Sequence, residues 1–131
     1  MNTAWTEWLI RGAFFVTGLI HLLPLAGLAG RATLERAYGV SLGPGQDLVI
    51  LMQHRALLFG LLACACFAAI GLPQWRVPAG IAALISMLGF ALIAATQTHG
   101  PAIANVMWID IGAALLLIIG LTLHVKFSQP V

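Results

Sequence analysis

Asp47 to Gly60 reads DLVILMQHRALLFG, a segment apolar enough to be a transmembrane helix that still sets Gln53, His54 and Arg55 side by side. A charge at membrane depth costs at least ~2.5 to 3.5 kcal/mol on insertion scales, so such residues usually face a bundle interior or a wet cavity and are functional candidates by default. The rest of the chain gives this stretch its setting. The 131 residues are 61% hydrophobic and 8% charged, with a mean hydropathy of +1.01, against about 25% charged residues in an ordinary soluble domain. This composition predicts an all-α integral membrane protein. At ~20 residues per span the length holds four spans with short connections and leaves no room for a separate soluble domain. Residues 1–131 are therefore expected to form a single four-helix transmembrane bundle.

Turn signals place the spans at about 9–28, 48–71, 79–96 and 102–125. MNTAWTEW precedes the first as a short polar lead, and its Trp5 and Trp8 suit the headgroup level. Within the first span, Pro24 removes one backbone bond and frees the carbonyl of Ile20, which predicts a kink beside His21. Arg11 followed by an apolar run ending in AGLAG has the outline of a cleavable signal. The run from Leu9 to Leu28 is longer than a signal's apolar region, so it is read as a retained helix. Between spans one and two, RATLERAYG carries Leu34 and Tyr38 on one side with Arg31 and Glu35 on the other, the pattern of a short interfacial helix ended by Gly39. SLGPGQD is turn chemistry that leaves Asp47 to cap the next helix. LPQWRVP and TQTHGP are the remaining turns. Lipid-facing and core-facing positions are both apolar here, so length and turn signals, rather than periodicity, carry the assignment.

A rise of 1.5 Å per helical residue turns position into depth. His21 lies about 9 Å before the loop-side end of span one, His54 about 9 Å after the start of span two, and Asp110 about 12 Å after the start of span four. These three, with Arg55 one residue from His54, are predicted to share one level in the membrane half nearest the 29–46 connection. Gln53 flanks them, and Gln97, His99 and Asn105 stand near the same surface as secondary candidates. The other half of the bundle, from Leu57 to Ile70 and from Ala113 to Leu123, is nearly devoid of strongly polar groups. That asymmetry describes a pocket opening to one side rather than a channel.

Two imidazoles, a carboxylate and a guanidinium can supply a proton donor and acceptor near neutrality and a fixed cation for an anionic or carbonyl oxygen. A small lipid, quinone, isoprenoid or steroid-like molecule with one polar end suits such a pocket, as a bound ligand or as the substrate of proton-transfer or redox chemistry. Several alternatives stay open. Arg55 and Asp110 could be a buried ion pair that only holds spans two and four together, as in an accessory or assembly subunit of a larger membrane complex, and a small transporter is a further reading. His21, His54 and Asp110 form a facial-triad-like set of metal ligands, and His21 with His54 could ligate a haem whose propionate meets Arg55. Both rank lower: the set has no local spacing motif, and one histidine pair supports at most one haem. Cys64 and Cys66, two apart in a helix, point about 200° from each other and do not make a CxxC redox motif. Six basic and four acidic residues, spread singly for a net charge of +2, offer no run suited to nucleic acid. Expected partners are membrane lipids, a small apolar ligand, and a second copy or a larger membrane complex. Neither GxxxxGK[ST] nor GxGxxG occurs.

GLIHLLPLAGLAG (18–30), LERAYGV (34–40), ILMQHRALLFGLL (50–62) and ISMLGF (85–90) together resemble a family of small bacterial four-span membrane proteins that often carry the label phosphopantetheine adenylyltransferase. More distantly the chain is similar to DoxX-like four-helix membrane proteins. The likeness covers roughly residues 12 to 120. It implies a four-span architecture and a place in a bacterial inner membrane. The label's chemistry does not come with it, because adenylyl transfer of that kind uses a nucleotide-binding α/β fold with an HxGH-type signature and neither is present. With four spans, both termini and the 72–78 turn share one side, which holds Arg11, Arg76 and Lys126 against Arg31 and Arg36 opposite. Three against two favours cytoplasmic termini.

Overall fold

In the computed structural model, which describes residues 3–127, every element is helical. Helix α1 (Thr3–Leu22) continues through a 3-10 helix (Leu23–Ala29) into the short α2 (Arg31–Tyr38); α3 (Asp47–Gly71), α4 (Arg76–Ala95) and α5 (Pro101–Phe127) follow. Four segments are long and apolar enough to cross a membrane: Ala4–Ala29, Asp47–Gly71, Pro73–Ala95 and Pro101–Phe127. The boundaries lie close to those expected, with two differences. Helix α1 begins at Thr3, so most of the expected polar lead is its first turns; Met1 and Asn2 lie outside the described residues. LPQWRVP is less of a turn than its prolines suggest, because Arg76 already starts α4 and Pro78 sits in the first turn, where its missing N–H costs nothing.

Pro24 acts where expected, although the result is a tightening of the backbone into 3-10 geometry rather than a bend in a continuing α-helix. Gly39 ends α2 with φ of +64°, a left-handed conformation that a side chain would strain, and donates its N–H to the Glu35 carbonyl. The loop that follows is held by the charged side of α2. Arg31 donates to the carbonyls of Gly43 and Gly45, and a Glu35 carboxylate oxygen accepts the Leu42 N–H at 2.9 Å. Asp47 is the first residue of α3 and makes no capping bond; its charge lies in the first turn, where the helix dipole favours it.

The long helices pack as a ring in which α1 adjoins α3 and α5, and α4 adjoins the same two. Helices α1 and α4 approach weakly across one diagonal, while α3 and α5 make no close backbone approach across the other. Small residues permit the contacts: Ala13, Ala56, Ala63, Ala69, Ala83 and Ala114 are all buried, as expected where helix association depends on close backbone approach rather than on escape from water. At the α1–α5 contact, a methyl added to Gly120 would come within 3.0 Å of the Ala13 methyl. Phe14, Met87, Leu117 and Cys66 fill the centre, whereas Cys64 is exposed.

Candidate functional site

The polar residues of α1 and α3 that turn inward do so because of what else shares their helical face. Thr17 and His21, one turn apart on α1, are both buried. The His21 ring is fixed on three sides: Nδ1 donates to the Thr17 carbonyl at 2.9 Å, Nε2 lies 3.3 Å from the Ser86 hydroxyl of α4, and the Phe59 ring meets it edge-on with centroids 5.7 Å apart. A carbonyl can only accept, so Nδ1 carries the hydrogen and the neutral ring accepts the Ser86 O–H at Nε2. This bond spans the α1–α4 diagonal.

Above it lies a cavity of about 240 Å³ bordered by His21, Arg55, Phe59, Ser86 and Asp110, with Tyr38 from α2 at its loop-side wall. The Arg55 guanidinium sits over three aromatic rings, 5.0 Å from the Phe59 centroid, 5.5 Å from Phe90 and 5.9 Å from Tyr38. Each contact is within cation–π range. Across the open diagonal, Asp110 projects from α5 and is itself buried. The two charges do not touch. Among the described residues the ion pairs are Glu7 with Arg11 and Glu7 with Arg76, and neither Arg55 nor Asp110 makes a side-chain hydrogen bond. The alternative of a direct Arg55–Asp110 staple is therefore absent from this arrangement; a gap separates a cation from a carboxylate. Leu23 and Ile109, 72% and 51% exposed, also border the cavity, so part of its rim is apolar surface on the flank of the bundle.

His54 is placed differently from the expectation. It does not border the cavity, and its side chain is exposed along the outer stripe of α3 formed by Leu51, Leu58 and Leu61. Successive helical residues point 100° apart, so turning Arg55 inward rotates its neighbour outward. The set His21, His54 and Asp110 consequently shares no common space for a metal, and His21 with His54 cannot grip one haem between them. No group of three or more metal-ligating side chains is arranged to hold an ion among the described residues. Gln53 donates to the Leu28 carbonyl at 3.2 Å, tying α3 to the 3-10 segment. Gln97, His99 and Asn105 are exposed, with His99 Nδ1 bonded only to the adjacent Gly100 carbonyl at 3.3 Å.

Two groups of polar residues escape a reading by depth alone. Ser86 and Tyr38 border the cavity; the one hint is that Ser86 and Phe90 stand one turn apart on α4. The second group lies at the opposite end, where the sequence suggested only interfacial residues. There Arg76 is almost fully buried and reaches all four spans: from its own α4 it donates to both oxygens of Glu7 on α1, to the Ala69 carbonyl in the last turn of α3 at 3.2 Å, and to His124 Nδ1 on α5 at 3.4 Å. Ala69 is among the last carbonyls of α3, which lack partners within the helix, so Arg76 also caps that end. Glu7 is shared with Arg11 at 2.9 Å. Four of the five guanidinium N–H groups are thereby directed at acceptors, so this cluster ties the helix ends together. Compared with family models, with curated proteins and with solved structures, the chain matches none, and the case for the cavity rests on its own geometry.

Proposed function

We propose that this is a multi-pass membrane protein whose cavity binds the polar end of a small lipophilic molecule, with the apolar remainder lying in the bilayer beside Leu23 and Ile109. One observation carries this reading: Arg55 lies among aromatic rings, makes no direct ion pair, and faces the Asp110 carboxylate across an open gap. Charges retained in such a place are functional by default, because a purely structural pair gains most by direct contact. The volume of about 240 Å³ is below the ~300 to 1,000 Å³ typical of sites that engulf a whole ligand, which suits a head held inside and a tail outside. His21, with Ser86 on Nε2, and Asp110 are the groups that could exchange a proton with that head.

We place α2 at the membrane interface, as a cover whose Tyr38 side closes the cavity toward water, and the termini on the cytoplasmic side of a bacterial inner membrane. The resemblance to the small four-span family and to DoxX-like proteins implies only the four-span architecture and the bacterial inner membrane. Among rivals, the assembly-subunit reading loses its motive where Arg55 and Asp110 do not bond directly, and a transporter lacks a polar path past Phe14, Met87 and Leu117 at the centre of the bundle.

Native mass spectrometry of the gently extracted protein tests the proposal. The expected spectrum contains a lipophilic adduct that Arg55→Gln releases. A spectrum of bare protein, or an adduct population indifferent to Arg55→Gln, would overturn it.

A further inference from the structure

Resting on the reading of the cavity as a ligand site, we infer that the head it accepts is uncharged and carries both a hydrogen-bond acceptor and a hydroxyl donor, in the manner of a hydroxylated lipid ester. The groups on the cavity walls fix what the head must carry. Arg55 provides only donors; it lies over three aromatic rings and makes no side-chain hydrogen bond to an acceptor among the described residues. An acceptor must meet it. Asp110 as a carboxylate provides only acceptors and has no hydrogen-bond partner among the described residues. A donor must meet that one.

The floor adds a third requirement of the same kind as Asp110. Nδ1 of His21 donates to the Thr17 carbonyl, so Nε2 takes the Ser86 proton, and Ser86 Oγ keeps its lone pairs for a donor from the ligand. Ser86 thus acts as an acceptor because of a bond made on the far side of His21.

Charge then narrows the class. A carboxylate or phosphate head that satisfied Arg55 would enter beside Asp110, and an ammonium that satisfied Asp110 would enter beside Arg55; like charges brought together in a dry site cost several kcal/mol. The two wall charges sum to zero, so an uncharged head adds no net charge to the membrane interior. Rejection of free fatty acid by Asp110 is specificity obtained by repulsion, alongside the attraction supplied by Arg55.

Three probes that share one acyl chain separate the requirements: oleate is anionic, methyl oleate has an acceptor but no donor, and glyceryl monooleate is uncharged with both. Offered together at equal concentration to the purified protein and read by native mass spectrometry, glyceryl monooleate should dominate the bound population by about tenfold or more over each competitor. Asp110→Asn should raise oleate binding and shrink the preference for glyceryl monooleate. Oleate equalling or exceeding glyceryl monooleate on the wild-type protein, with binding still lost in Arg55→Gln, overturns this inference while the ligand site stands. Binding of none of the three overturns both. The wild-type ranking decides the matter even if Asp110→Asn fails to fold.

Discussion

Replacing Glu7 by Gln removes one negative charge and keeps the shape, yet it should destabilise the bundle more than replacing its partner, Arg76→Met. The difference comes from what each change leaves behind. Glu7→Gln strands a guanidinium whose side chain is 3% exposed; Arg76→Met strands a carboxylate whose side chain is 38% exposed and still pairs with Arg11. Removing one partner of a buried pair costs ~3 to 5 kcal/mol, and the partial exposure of Glu7 brings the figure for Glu7→Gln down to about 2 to 3 kcal/mol, since water can occupy part of the vacated position. Arg76→Met forfeits the same pair and uncaps the Ala69 carbonyl, but its leftover charge is hydrated; about 1 to 2 kcal/mol is expected. The double variant leaves no stranded guanidinium, so its cost should fall short of the sum by at least ~1 kcal/mol. Unfolding by titration with SDS in mixed micelles, followed by loss of helical circular dichroism, measures all three. Costs that add within ~0.5 kcal/mol, or a Glu7→Gln variant as stable as the wild type, would refute the claim that this guanidinium fastens the terminal end.

Asp110→Asn should change stability by less than ~1 kcal/mol, because the carboxylate makes no direct ion pair or side-chain hydrogen bond and its attraction to Arg55 acts across a gap; the same titration checks it, and a collapse would restore the staple reading. His54→Ala should leave both the bound adduct and the unfolding midpoint unchanged, since the ring stands outside the cavity, and loss of the adduct would place it in the site after all. Gly120→Val forces bulk into a contact where even a first methyl comes within 3.0 Å of Ala13, and overpacking of that kind should cost ~1 to 3 kcal/mol, read as a lowered detergent melting temperature.

The four spans could be read from sequence because length, turn residues and composition are properties of each segment alone. Which face of a span turns inward is a property of the ensemble. Insertion energetics treats His54 and Arg55 alike at one depth, and only the packing of Ala56, Gly60 and Ala63 against neighbouring helices decides that Arg55 faces the cavity and His54 does not. Arg76 shows the converse. Beside two prolines and a tryptophan it reads as a solvated turn residue, and its partner Glu7 stands 69 positions earlier, with no periodicity to connect them. Ser86 is an uncharged residue in an apolar span, and its role depends on His21 reaching it across a bundle diagonal.

The two ends of the bundle are built on opposite rules, and the contrast bears on how a ligand could enter. At the terminal end one guanidinium joins all four spans with four of its five N–H groups directed at acceptors, so separating any helix there breaks charged hydrogen bonds. At the loop end the α3–α5 diagonal is open and its two charges stay apart; the bond across the other diagonal is a single neutral contact of 3.3 Å, worth ~0.5 to 1.5 kcal/mol net. On the proposed reading, a lipid head would enter at the loop end, where parting the helices breaks fewer polar contacts than at the terminal end.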